Sequence, residues 1–279
     1  MEQKQHTFIL SVFMIFLLSF VLLPLFMCLG KLQERKHIQR RTTEENHEIN
    51  VDAGQADCLL SETDDLGDSY IGKLIFLGES TTYGLQRYGL LPGGTNTVQV
   101  WTGASCIENS IRSAGTLSLS PVITSTKLYY PDEGIALTIS EALLAKKPEY
   151  LVVTLGLNNG ASYYTEDEFK QCYRLLLNDV VKSAPQTEII LQSIFPVART
   201  CQIIAYTPEK IDLCNRWIVD LAKEYGIKYL DTISVLRDED GYLLPQYDNG
   251  GDGIHLNAEG LSAVLAYIRT HGHPKESAT

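Results

Sequence analysis

No Cys-x-x-Cys pair occurs in the chain, which removes the usual spacing of structural zinc sites and dithiol redox motifs. The six cysteines stand at positions 28, 58, 106, 172, 201 and 214. Cys28 falls inside an apolar run and leaves an odd number behind it, so no disulfide framework is read. Cys172 and Cys214 lie in helix-like patterns and are expected to be buried small hydrophobes. Positive charge is in deficit. The formal net charge of -11 argues against a nucleic-acid partner, whose phosphates would repel the chain. Internal repeats are absent. Histidine is scarce: His6, His37 and His47 lie in the N-terminal extension, and His271 and His273 near the C-terminal end. That leaves His255 as the one histidine placed for chemistry.

Charge is missing altogether from Phe8 to Leu29. As a helix, a run of about 22 residues spans roughly 33 Å, enough for a bilayer core. A cleaved signal peptide would carry a shorter apolar region ending in small residues, whereas this one ends Pro24-Leu25-Phe26-Met27-Cys28-Leu29. The bulky residues before Cys28 also argue against a lipoprotein cleavage site. The expected organisation is a tail (1–7), a single-pass membrane anchor (8–29), a polar linker (30–71), one catalytic domain (72–272) and a C-terminal tail (273–279). The linker assignment rests on many Glu, Asp, Gln, Asn, Thr and Arg residues and no clear period. Lys31, Arg35, Lys36, Arg40 and Arg41 follow the anchor and only Lys4 precedes it, which by the positive-inside tendency would leave the domain in the cytoplasm.

What is present is ordinary globular material: 279 residues, 44% hydrophobic and 20% charged, enough for one substantial core. Lys73 to Leu77, Thr97 to Trp101, Tyr150 to Leu155, Glu188 to Ile194 and Ile227 to Leu230 read as strands. Asp132 to Lys147 carries Ile135, Ile139, Leu143 and Leu144 at helical spacing. Thr165 with Glu168 forms a capping-box signature for a helix running to about Ser183. Thr207-Pro208 opens another, ended by Gly226. A final helix spans about Asn257 to His271. Strands alternating with helices imply an α/β fold with a parallel sheet covered on both faces.

Chemistry-bearing residues follow the strands, where such sheets place their sites. Ser80 follows Lys73–Leu77 in Gly78-Glu79-Ser80. Asn158 follows the next apolar strand in Gly156-Leu157-Asn158-Asn159. Asp252-Gly253-Ile254-His255 precedes the last helix. A serine hydroxyl needs a base to remove its proton, and an imidazole works best when a carboxylate holds its tautomer. Ser80, His255 and Asp252 are the candidates for those three parts. Asp248 to Glu259 partly matches a calcium loop. Its third position, however, is Gly250, which offers no side-chain ligand, and no amphipathic helix precedes it, so no metal is expected.

The three blocks together resemble the SGNH (GDSL-like) hydrolase superfamily, over residues 72 to 272. Gly78-Glu79-Ser80 departs from the usual Gly-Asp-Ser at Glu79, and Asn159 stands where Asp is usual. The resemblance implies a three-layer α/β sandwich with a central parallel five-stranded sheet, flavodoxin-like in architecture. It implies Ser80 as nucleophile, His255 as base and Asp252 as its orienter. The oxyanion hole would comprise the Ser80 and Gly115 backbone N–H groups and the Asn158 side chain. Gly103 rivals Gly115 as the loop glycine, and the segment between them reads as an insertion. The implied activity is hydrolysis of a small acyl ester, an acetyl group on a carbohydrate or cell-wall polymer, without a cofactor. Acyl transfer to a sugar hydroxyl by the same triad, or a non-catalytic binding module, are the alternatives. Family analogy places the domain outside the cytoplasm, against the flanking basic residues. Oligomeric state is not legible.

Overall fold

The computed structural model describes residues 58–274. The expected anchor at 8–29, the tail before it and most of the expected linker lie outside those residues. Among the described residues, no helix is long and apolar enough to cross a membrane.

In chain order the elements are α1 (Gly67–Ile71), β1 (Leu74–Gly78), α2 (Ser80–Arg87), β2 (Val100–Trp101), β3 (Ala104–Ile107), β4 (Ser110–Ser113), β5 (Lys127–Tyr130) and β6 (Ile135–Thr138). There follow α3 (Ile139–Lys146), β7 (Tyr150–Thr154), α4 (Glu166–Ser183), β8 (Glu188–Gln192), α5 (Pro208–Tyr225), β9 (Lys228–Leu230) and α6 (Ala258–Thr270). Five strands form one parallel sheet in the order β2-β1-β7-β8-β9.

The strand sequences explain the three layers. β1 and β7 are buried at every position, so both faces must be apolar, and alternate residues serve opposite cores. Ile75, Leu77, Leu151, Val153, Ile189 and Leu191 face a core that includes α3, α4 and α5 residues such as Leu143, Phe169, Leu176 and Ile218. Leu74, Phe76, Tyr150, Val152 and Ile190 face the other, with Tyr70, Leu85, Leu261, Val264 and Ile268. Helices therefore cover both faces of one sheet, as expected.

The local helix signals hold. Thr165 and Glu168 make the reciprocal capping box of α4, and Thr207 caps α5 with Pro208 at its first position. Gly226 closes α5 in the left-handed conformation, and Asn257 caps α6 through the Gly260 amide. Cys172 and Cys214 are buried.

Three expectations are corrected. The helix read from Asp132 is instead strand and then helix. Ile135–Thr138 pairs antiparallel with Lys127–Tyr130, and α3 begins only at Ile139, capped by Thr138 in a box with Glu141. The strand read from Thr97 shortens to Val100–Trp101. The polar linker does not extend to residue 71. Leu60, Tyr70 and Ile71 are buried, and Leu59 bridges Tyr229 beside β9. Arg269 in α6 grips Asp65 through two bonds of 2.8 and 2.6 Å.

A domain started at residue 72 is therefore expected to be less stable than one started at residue 57. Four buried side chains, Cys58, Leu60, Tyr70 and Ile71, at about 1–2 kcal/mol each amount to on the order of 5 kcal/mol, and a melting point lowered by roughly 10 °C or more. Calorimetry of the two truncations checks it; equal melting points would show that residues 58–71 add nothing to the fold.

Candidate active site

The strand order reverses between β1 and β7, and the open crevice of such a sheet lies there, at the carboxyl ends. Both strands deliver motif residues to it. Gly78 ends β1, and a side chain there would come within 2.2 Å of Thr82 Oγ1 and 2.7 Å of the Thr154 carbonyl. Only glycine lets α2 start so close against the strand. Ser80 is then the first residue of α2, half-buried, with Glu79 as the preceding cap.

Glu79 is buried, and its side chain leaves its own helix to bond the neighbouring loop. One carboxyl oxygen accepts the Gly156 N–H and the Leu157 N–H (2.8 Å); the other accepts the Asn158 N–H at 2.6 Å. Burial pushes this carboxyl up to about 8, against the pull of the three amides. The same bonds fix the turn that presents Asn158. Its side-chain Nδ2 donates to Thr116 Oγ1 at 3.2 Å, and Asn159 Nδ2 donates to the Leu119 carbonyl at 3.0 Å. Both departures from the usual motif, Glu79 and Asn159, thus hold loops.

The two loop glycines separate by their contacts. The Gly103 N–H is spent on the Thr116 carbonyl at 2.8 Å. The Gly115 N–H donates to Ser113 Oγ at 2.9 Å, an acceptor that can rotate away, and a side chain at Gly115 would touch the Tyr83 ring at 3.4 Å. Tyr83 lines the same pocket as Ser80. Gly115 therefore lies against Tyr83, a wall of the pocket that holds Ser80. The expected insertion is the β3–β4 hairpin, paired through Ala104–Ser113 to Ile107–Ser110.

His255 and Asp252 come from the loop before α6. His255 Nδ1 lies 2.6 Å from Asp252 Oδ2, and because a carboxylate only accepts, Nδ1 carries the hydrogen. Asp252 Oδ1 also accepts the N–H groups of Ile254 and His255. Burial raises the Asp252 carboxyl, but these two amides and the imidazole outweigh it and hold it below the usual range. Gly253 between them has φ +71°, and a side chain there would meet the Cys201 amide at 2.6 Å. The Gly253 carbonyl accepts the Ala198 N–H at 2.8 Å, which ties the loop to the segment after β8.

Ser80 and His255 are walls of one pocket, with Tyr83, Arg87, Tyr88 and Asn249. Sequence reading did not single out Glu79 as a loop anchor, nor Tyr83, Arg87 and Tyr88 as pocket residues. Their signal was the 3.6-residue spacing from Ser80 along α2. In the stretch weighed as a calcium loop, Asp248 and Asn249 each fold back on a backbone amide, of Gly250 and Gly251.

Glu79 links site geometry to pH. Its ordinary value is 4.5 and its folded value about 8, so the folded state keeps a proton that the unfolded state releases. That contribution is present below about pH 4.5 and lost as pH rises through about 8. Denaturant unfolding at pH 5 and pH 8 is expected to show wild type losing on the order of a few kcal/mol more than Glu79→Gln across this window. Parallel profiles for the two proteins would show that Glu79 does not titrate there.

The model of the GDSL-like Lipase/Acylhydrolase family matches residues 76–263. A comparison with curated proteins finds none that match. Solved structures of similar fold include a Streptococcus pneumonia protein described as a platelet activating factor. It is 20% identical, covers 85% of this chain and 92% of its own, and has a TM-score of 0.49. A GDSL-like lipase from Bacteroides thetaiotaomicron is 21% identical, with 71% and 86% coverage and a TM-score of 0.41. The acetylxylan esterase Axe2 from Geobacillus stearothermophilus is 18% identical, with 75% and 97% coverage and a TM-score of 0.41. With about two thirds of its length matched by the family model, from the middle of β1 into α6, the chain belongs to the GDSL-like lipase/acylhydrolase family of ester-bond hydrolases.

Proposed function

We propose that the protein is a serine esterase that removes a small acyl group, acetyl, from a carbohydrate or cell-wall polymer. The observation that carries this is the 2.6 Å bond from His255 Nδ1 to Asp252 in a pocket that also holds Ser80. With Nδ1 engaged, Nε2 is the ring nitrogen free to serve the serine. Ser80 Oγ attacks the ester carbonyl carbon while its proton passes to His255 Nε2. The carbonyl oxygen becomes an oxyanion, held by the Ser80 and Gly115 amides and Asn158 Nδ2. The C–O bond to the sugar breaks, and the leaving oxygen takes the proton from His255. Water then enters, gives its proton to His255 and attacks the acyl-enzyme. Acid leaves, and the proton returns to Ser80. No cofactor takes part.

Tyr83 and Tyr88 offer flat amphipathic faces beside the serine, suited to a sugar ring. We further place the domain outside the cytoplasm, held to the membrane by the apolar segment 8–29, where a cell-wall polymer would be within reach.

Ser80→Ala and His255→Ala are each expected to lower p-nitrophenyl acetate turnover by roughly a thousandfold or more. Asp252→Asn is expected to cost less, because the exposed carboxylate orients the ring in a partly solvated setting. A fluorophosphonate probe should label wild type and not Ser80→Ala. Undiminished turnover in Ser80→Ala, or labelling elsewhere, refutes the assignment.

A further inference from the structure

Ser80, Gly84 and Arg87 are spaced i, i+4 and i+7 on α2, which puts them on one helix face. All three line the pocket that His255 closes from the other side. Arg87 is exposed and makes no ion pair among the described residues; its guanidinium carbon sits 6.0 Å from the Tyr88 ring centroid. Among the described arginines, Arg174, Arg199, Arg237 and Arg269 each hold a carboxylate, whereas Arg87, Arg112 and Arg216 do not, and of these three only Arg87 lines the pocket. In a chain of net charge -11, an arginine left unpaired beside the nucleophile invites an anionic ligand.

The geometry says where that anion belongs. Seven residues of helix separate the Cα atoms of Ser80 and Arg87 by roughly 10 Å along the axis. The acetyl group of the proposed substrate carries no charge, so the anion belongs to the alcohol side of the ester. A guanidinium presents a planar fork of donors that fits the paired oxygens of a carboxylate or phosphate.

We propose that Arg87 is a specificity residue, and that this pocket selects esters whose alcohol part carries a carboxylate or phosphate group. The inference rests on the serine-esterase reading above and names the substrate class for it. An arginine in the last turn of a helix also complements the helix dipole. That role affects stability and does not alter a ratio between substrates.

The test compares three acetylated sugars: methyl glucoside (neutral), methyl glucuronide (carboxylate) and glucose 6-phosphate. At low salt, wild type is expected to favour one or both anionic esters by roughly tenfold in kcat/KM, chiefly through KM. In Arg87→Gln the ratio should fall towards one, and Arg87→Lys should keep part of it. Preference for the glucuronide alone identifies a carboxylate, and for the phosphate alone a phosphate. A wild-type ratio near one, or a preference unchanged in Arg87→Gln, overturns the proposal.

Binding separates this from the esterase reading. Ser80→Ala protein is titrated with unacetylated methyl glucuronide and glucose 6-phosphate by ligand-observed NMR. Binding that disappears when Arg87→Gln is added supports anion selection even if no ester is hydrolysed. No binding to Ser80→Ala, or binding indifferent to Arg87, counts against it.

Discussion

One buried carboxyl holds the two halves of the site in register. The chain leaves β1 as a helix and leaves β7 as a tight turn; the sheet pairs Gly78 with Thr154, and the segments beyond that pair must still be fixed to one another. Glu79 does so by accepting three consecutive amides, of Gly156, Leu157 and Asn158. Those amides point into a buried region and would otherwise lack partners, at a cost of about 1–3 kcal/mol each. The carboxyl would be equally costly alone. Each satisfies the other, so the position of Asn158 relative to Ser80 follows from a requirement of folding. Catalytic geometry here comes from polar satisfaction at the point where the strand order turns back.

How much of this was legible depends on how local each signal is. The capped helices were legible because their caps are neighbours in sequence: Thr165 with Glu168, Thr207 with Pro208, Asn257 with Gly260. The central strands were legible because burial on both faces forces continuous apolar runs. The segment from Asp132 misled because Ile135, Ile139 and Leu143 stand four apart across a junction between strand and helix. The cap that marks the junction, Thr138 with Glu141, lay in the same stretch and carried more information than the spacing. Residues 58–71 misled for the opposite reason. Their few apolar side chains show no period, yet Leu60, Tyr70 and Ile71 fill positions made by β9 and α6.

At the site, residue types were legible and supports were not. Ser80, Asn158, Asp252 and His255 stand in short blocks, and Asp252 meets His255 within one turn. Glu79 works on partners 77 to 79 residues away. Composition marked it only as a lengthened aspartate. The choice between Gly115 and Gly103 had the same character. Each amide has a partner, and what separates the two glycines is the contact of Gly115 with Tyr83, 32 residues away in sequence.

The two sides of the pocket are built differently, and the difference assigns their work. Ser80, Glu79 and Asn158 sit just beyond the ends of β1 and β7, where the Glu79 bonds tie the two segments together. His255 and Asp252 sit on a surface loop, with side chains 33% and 48% exposed. A hydrogen-bonded pair so open to solvent contributes little through its field, because water screens it. Its value is directional: Asp252 fixes which ring nitrogen is free. In the proposed reaction, the charge that develops on the substrate oxygen is met chiefly by the other side, by amides and Asn158 Nδ2 held in place before the reaction starts. The buried Glu79 and the half-buried His255 thus complement each other: in the proposed mechanism one keeps the oxyanion donors still and the other keeps the proton acceptor within reach of solvent.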